Sequence, residues 1–235
     1  MAYIDRNGKK YKYNSRCFKK LNYGECANVF YDKNKNIIFK IYDEDLENKY
    51  RIKSEIFDIL KQIKSPYFME LYNLYMQVKL KERIEYNLKK DNFRVDCYTA
   101  KYYKKIDIDP IFTDKEYLLS SLKGIEKVFD ILSTYRIEVS DIKMQNSVYT
   151  KDGIVIIDPD FYFFSIDPES EIKKMNKKAI LSLLKSILLW SKIPYNETRE
   201  LRSKLNIVPN ENKSITDEIA KELKYVKKPI DIIRK

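Results

Sequence analysis

The chain has 235 residues, 44% of them hydrophobic, with 46 Lys and Arg against 35 Asp and Glu and a formal net charge of +11. That is enough apolar material for one large domain or two small lobes with a core, and it excludes disordered and collagen-like classes. With 4 glycines and no histidine, any glycine-rich phosphate loop must be degenerate, and a His general base or His-ligated metal is excluded.

The lysines and arginines alternate with acidic residues along the whole chain and form no long basic block. This reads as a lysine-rich solvated surface, so nucleic acid is not expected as a partner. Cys17, Cys26 and Cys97 are odd in number, widely spaced and lack a C-x-x-C pairing. They read as reduced thiols of a cytoplasmic protein. The opening MAYIDRNGKK lacks the apolar centre of a signal peptide, and the longest apolar run, Ala179 to Trp190, is too short for a span and contains Lys185. No membrane span is expected.

In chain order, Tyr3 to Tyr13 reads as a hairpin turning at Asn7-Gly8. Cys17 to Tyr23, Ala27 to Tyr31 and Ile37 to Tyr42 then form an antiparallel meander, with a polar turn at Asp32 to Asn36. Lys40 sits among apolar residues on its third strand. From Leu46 to Ile63 the residues Ile52, Ile56, Ile59, Leu60 and Ile63 mark a helical stripe that includes Glu55. A carboxylate on that side needs a cationic partner, and Lys40 is the nearest one. Leu80 to Arg94 is highly charged and reads as an exposed hairpin or loop, and Val95 to Tyr103 as a further strand. Asp114 to Thr134 is helical, with Leu118, Leu122, Ile125, Phe129 and Leu132 on one face.

Val139 to Asp160, VSDIKMQNSVYTKDGIVIIDPD, concentrates the polar chemistry. Asp141, Lys143 and Asn146 form a D-x-K-x-x-N array. Two strand-like runs follow, Ser147 to Thr150 and Ile154 to Ile157, with an Asp152-Gly153 turn between them; the second ends in Asp158. The hairpin brings both ends of the segment to one side, so a carboxylate, an ammonium, an amide and a second carboxylate converge. Such a set supplies a base, a cation and two oxygen ligands for magnesium. After the aromatic run FYFF, Lys177 to Trp190 is apolar all round, as in a buried helix. Shorter amphipathic helices are expected near Asn196 to Leu205 and Ser214 to Tyr225. Ser214 with Asp217 forms a capping box for the second.

Over roughly residues 18 to 190 these features resemble the protein-kinase superfamily, in the form of a small, divergent, bacterial-type Ser/Thr kinase-like protein. Asp141, Lys143, Asn146 and Asp158 match its catalytic loop and metal-binding segment. Val139 and Ser140 stand in place of His and Arg, and Pro159-Asp160 in place of Phe-Gly. Upstream, NYGECANVF resembles the glycine-rich loop, keeping Gly24 and Val29, and IIFKIY resembles the strand that carries the kinase lysine. The resemblance implies a bilobal α+β fold. Residues 1–102 would be an antiparallel β-rich N-lobe with one long helix, and 103–235 a compact, mostly helical C-lobe.

It also implies ATP and Mg²⁺ as cofactors. Asp141 would be the catalytic base, and Lys143 would balance the charge on the transferring group. Asn146 and Asp158 would hold the metal, with Asp160 a further candidate. Lys40, oriented by Glu55, would hold the nucleotide phosphates beside Gly24 and Val29, and backbone groups around Ala100 to Tyr102 would meet the adenine edge. The acceptor is an unknown protein or a small hydroxylated molecule. Three readings follow: a Ser/Thr-type kinase, a small-molecule kinase, and a nucleotide-binding pseudokinase or scaffold. No G-x-x-x-x-G-K-[ST] sequence is present, which excludes a P-loop ATPase.

Overall fold

Strand-forming runs dominate the first hundred residues and helical runs the remainder, and the computed structural model follows that division in an α+β chain. It describes residues 2–4, 10–12, 18–23, 27–42, 51–79, 94–106, 114–190 and 195–224. The chain divides into two compact units, Met1–Lys64 with Met69–Tyr102, and Ser65–Phe68 with Tyr103–Lys235.

In the first unit β1 (Ala2–Ile4) pairs antiparallel with β2 (Lys10–Lys12); the expected turn at Asn7-Gly8 lies outside the described residues. Five further strands, β3 (Phe18–Tyr23), β4 (Ala27–Asp32), β5 (Ile37–Tyr42), β6 (Leu71–Lys79) and β7 (Arg94–Lys101), form one antiparallel sheet in the order β3-β4-β5-β7-β6. The expected meander is its first half. Asp32 shapes the β4–β5 turn, its Oδ1 accepting the amide N–H of Asn34 at 2.9 Å and of Lys35 at 3.3 Å. Asn36 closes that turn at φ 54°, a left-handed conformation that asparagine tolerates.

Strand alternation puts Phe30, Phe39 and Thr99 in register on one buried face. The other face carries Tyr42 and Tyr98, whose rings lie 6.1 Å apart. Helix α1 (Ser54–Gln62) packs on this second face through Phe57, 6.2 Å from the Tyr98 ring. Cys97 is fully enclosed in the sheet, and burial pushes its thiol well up, so it behaves as a small core residue. Cys17, Cys26 and the charged segment from Leu80 lie outside the described residues.

The second unit is built on α2 (Lys115–Thr134) and α3 (Glu169–Trp190). Asp114 caps α2, its carboxylate accepting the Tyr117 amide N–H at 2.9 Å. The stripe of Leu118, Leu122, Ile125, Phe129 and Leu132 is buried as its period requires. Each such side chain contributes about 1.5–3 kcal/mol on leaving water. Helix α3 starts eight residues before the expected Lys177 and buries Ile172, Ile180, Leu183, Leu184 and Ile187. Helices α4 (Tyr195–Lys204) and α5 (Ile215–Leu223) follow. Ser214 caps α5 through the Asp217 amide N–H at 3.2 Å. Among the described residues no helix is long and apolar enough to cross a membrane.

Lys177 is itself buried inside α3, and its ammonium donates to the carbonyls of Asn210, Glu211 and Lys213 at 3.0, 3.0 and 2.6 Å. Glu126 lies 4.0 Å away and accepts the Ser214 hydroxyl and the Ile215 and Thr216 amides at the start of α5. A carboxylate at a helix N-terminus meets the positive end of its dipole. The pair thereby locks the loop before α5 against the two long helices.

Strands β9 (Ser147–Thr150) and β10 (Gly153–Ile156) form the expected hairpin, turning one residue earlier than expected, at Lys151-Asp152. The Thr150 hydroxyl takes up the turn's polar groups: it donates to the Gly153 carbonyl at 2.9 Å and accepts the Asp152 amide at 3.2 Å. Gly153, at φ 141°, opens β10. The hairpin is fastened to α2. The Tyr117 hydroxyl donates to the Thr150 carbonyl at 2.8 Å, with burial pushing the phenol up to about 12, and the Ile154 amide donates to the Ser121 hydroxyl at 3.0 Å.

Tyr67, from the short Ser65–Phe68 segment, seats its ring against Gly124 of α2 and Gly153 of β10. Its carbonyl accepts the Ile156 amide at 3.0 Å, and Phe68 bridges to Ile156. A Cβ on Gly124 would overlap the Tyr67 ring, and one on Gly153 would come within 2.7 Å of it. Gly124→Ala is therefore expected to destabilise the chain by about 1–3 kcal/mol. Thermal unfolding reads this as a midpoint several degrees lower. An unchanged midpoint would mean that the ring is not seated on this glycine.

Candidate functional site

The segment carrying Asp141 begins at β8 (Ile137–Glu138), which pairs with β11 (Phe163–Phe164). Its backbone is pinned at two points on α3. The Val139 amide donates to Asn176 Oδ1 at 2.8 Å, and the Met144 amide to the Ser186 hydroxyl at 2.8 Å. Val139 and Ile142 are buried between these pins. The loop then crosses Asp141 at φ 55° and ends in a short 3-10 turn, Met144–Asn146. A non-glycine residue in the left-handed region costs some conformational energy, and aspartate is among the few side chains that tolerate it.

That conformation turns the three polar residues of the array onto one another. Lys143 Nζ donates to Asp141 Oδ1 at 2.8 Å. Asn146 Nδ2 donates to Asp141 Oδ2 at 2.8 Å and to the Asp141 carbonyl at 2.9 Å. Both amide hydrogens of Asn146 are thus committed, while its Oδ1 accepts no hydrogen bond among the described residues. The side chains of Asp141 and Lys143 remain 32% and 45% exposed. An ion pair so open to solvent contributes at most about 1 kcal/mol to stability. Its arrangement leaves a carboxylate and an ammonium within reach of a third molecule.

Asp158 follows directly after Ile157, whose amide donates to the Asn146 carbonyl at 3.0 Å. The backbone therefore brings the metal candidates Asn146 and Asp158 into one neighbourhood. Asp158 is half-buried and Asp160 buried, and Asp160 lies in a turn closed by the Tyr162 amide donating to the Pro159 carbonyl at 3.2 Å. An unengaged amide oxygen beside carboxylates is a hard-oxygen donor set, which suits Mg²⁺. Among the described residues no group of three or more His, Cys, Asp or Glu could hold a metal ion. The expected set takes one of its ligands from an asparagine.

In the first unit, Val29 and Lys40 are direct cross-strand partners of β4 and β5, so their side chains share a face. Lys40 also faces Tyr98 across β7, which puts it on the α1 side of the sheet. It is 8% exposed, with its ammonium 6.0 Å from the centre of the Tyr42 ring. Gly24 lies outside the described residues.

One expectation for this unit is corrected, the buried side for Glu55. Glu55 is exposed and does not pair with Lys40. Its own amide and the Ser54 hydroxyl, 3.1 Å away, hold its carboxyl below the usual range, and the charges acting on it are those of Asp58 and Lys53. The helix begins only at Ser54, so Ile52 precedes it, and Phe57 completes the buried face with Ile56 and Leu60. That turns position 55 to solvent. The expected adenine-edge window, Ala100 to Tyr102, lies at the end of β7. Ala100 lies inside β7 opposite Ile38 and Leu71. The amides of Lys101 and Tyr102 already donate to the carbonyls of Glu70 and Asn36 at 2.9 and 3.1 Å. Both N–H groups are thus engaged within the first unit in this conformation.

Other residues with a bearing on the site lay beyond sequence reasoning. Buried Asn176 donates to the carbonyls of Phe129 and Ile137 and to the Ser133 hydroxyl, besides accepting from Val139, and so holds the start of the Asp141 loop. No local pattern marks it, since Asn176 sits among Lys173, Lys174, Lys177 and Lys178 in the sequence. Arg51 Nη1 binds Asp96 Oδ2 at 2.9 Å beside the start of α1, and an aspartate inside an apolar strand is the clue to it. No protein-family model matches the chain, and no curated protein matches it significantly in sequence.

Proposed function

We propose that the chain is an ATP- and Mg²⁺-dependent phosphotransferase of protein kinase-like, bilobal architecture, acting on a hydroxyl acceptor, with Ser/Thr-type chemistry favoured. The meeting of Asp141, Lys143 and Asn146 in one pinned loop, with Asp158 joined to it through the Ile157–Asn146 hydrogen bond, supports this most directly. Asp141 accepts the proton of the attacking hydroxyl, and Lys143 offsets negative charge on the transferring group. Asn146 Oδ1 and Asp158 would hold Mg²⁺, with Asp160 adjacent; when bound, the metal neutralises phosphate charge. Lys40, on the strand face shared with Val29, would bind nucleotide phosphates. Its orientation has to come from a group other than Glu55 as that residue stands in this conformation.

The stretch from Asp158 to the start of α3 at Glu169 is short, which favours a small-molecule acceptor as the second reading. Purified protein incubated with Mg²⁺ and γ-labelled ATP tests both. Magnesium-dependent label transfer to Ser or Thr, on itself or on an intact protein, supports the first reading. Transfer to a small hydroxylated metabolite alone supports the second. Nucleotide binding without any turnover would make the chain a pseudokinase, and no nucleotide binding would remove the proposal.

A further inference from the structure

Tyr162 stands four residues after Asp158, at the end of the turn closed by its own amide on the Pro159 carbonyl. The side chain is 2% exposed and its ring lies 6.3 Å from that of Phe68. Its hydroxyl has no hydrogen-bond partner among the described residues. Buried phenols ordinarily find an acceptor, and phenylalanine would fill the same space without stranding an O–H group. A tyrosine here therefore implies a use for the hydroxyl in another arrangement of the segment. The charge that acts on it is that of Asp158, four residues earlier.

We infer that Tyr162 is a positioning residue for Asp158: its hydroxyl, unpartnered here, donates to the Asp158 carboxylate when that carboxylate ligates a divalent cation. One carboxylate oxygen is then fixed by the phenol and the other is directed to the metal. The inference rests on the reading of Asp158 as a metal ligand. It assigns Tyr162 a role in cation affinity and none in the stability of the free chain.

The test compares the full chain with its Tyr162→Phe and Asp158→Ala variants. Each is titrated with MnCl₂ in the presence of a non-hydrolysable ATP analogue, with bound Mn²⁺ followed by electron paramagnetic resonance, and each is unfolded thermally without metal. Tyr162→Phe is expected to unfold at the same temperature or slightly higher, while its Mn²⁺ midpoint rises about tenfold, as for loss of one hydrogen bond to a charged group. An unchanged midpoint overturns the inference. So does a Tyr162→Phe variant that unfolds several degrees lower without metal, because the hydroxyl would then already be bonded. Asp158→Ala separates the two layers. If it loses the Mn²⁺ signal while Tyr162→Phe binds like wild type, only the positioning role fails. If it binds like wild type, or if wild type binds no Mn²⁺, the ligand reading of Asp158 fails and the inference with it.

Discussion

Asp141→Asn is expected to lower phosphoryl transfer by about 10²–10⁴-fold while leaving nucleotide affinity close to that of the wild type. In the proposed reaction the base would act on the acceptor hydroxyl and make no contact that ATP binding requires. The geometry adds a local effect. Asp141 accepts from Lys143 through one oxygen and from Asn146 through the other, so an amide at this position can serve only one of those donors. The other is left facing an N–H₂ group, which further loosens the array. Asp158→Ala should act earlier and abolish magnesium-dependent nucleotide binding. Single-turnover transfer and calorimetric nucleotide binding measure the two steps separately. Wild-type transfer rates in both variants would show that the chemistry lies elsewhere.

Asn176→Leu is the second substitution with a large expected effect. The new side chain is close in volume, but it leaves the Val139 amide, the Ile137 carbonyl and the Ser133 hydroxyl with fewer partners in a buried setting. Buried polar groups without partners cost about 1–3 kcal/mol each, so a loss on the order of 3 kcal/mol is expected. Denaturant unfolding should show it as a lower midpoint at unchanged slope. Because Val139 stands two residues before Asp141, turnover in the variant should fall further than its folded fraction. A variant with wild-type stability would mean that water replaces the amide, which an enclosed position such as this does not readily allow.

The features legible from sequence are those whose determinants lie close together in the chain. The β4–β5 hairpin follows from alternation around a polar turn, and the β9–β10 hairpin from two strand-like runs around an Asp-Gly turn signal. Asp141, Lys143 and Asn146 are separated by two and three positions, so one loop suffices to join them. Glu55 was misread because an apolar stripe does not reveal where its helix begins, and a start at Ser54 changes which side faces the sheet. The engagement of the Lys101 and Tyr102 amides is not legible because strand ends depend on partners, here Glu70 and Asn36, and sequence does not announce them. Asn176, Lys177 and Glu126 depend on partners 33 to 90 positions away, and no local pattern predicts such pairings.

The seating of Tyr67 bears on how the protein can be divided. A cut between Tyr102 and Tyr103 looks natural along the chain, yet the N-terminal fragment would carry away the ring that rests on Gly124 and Gly153. The C-terminal fragment would keep two bare glycines around an aromatic-sized hole, with the Ile156 amide deprived of its carbonyl. Expressed alone, that fragment should be poorly folded and bind dyes specific for exposed apolar surface. Supplying the missing piece in trans should restore it, so the two fragments would behave as a complementing pair and not as two independent domains.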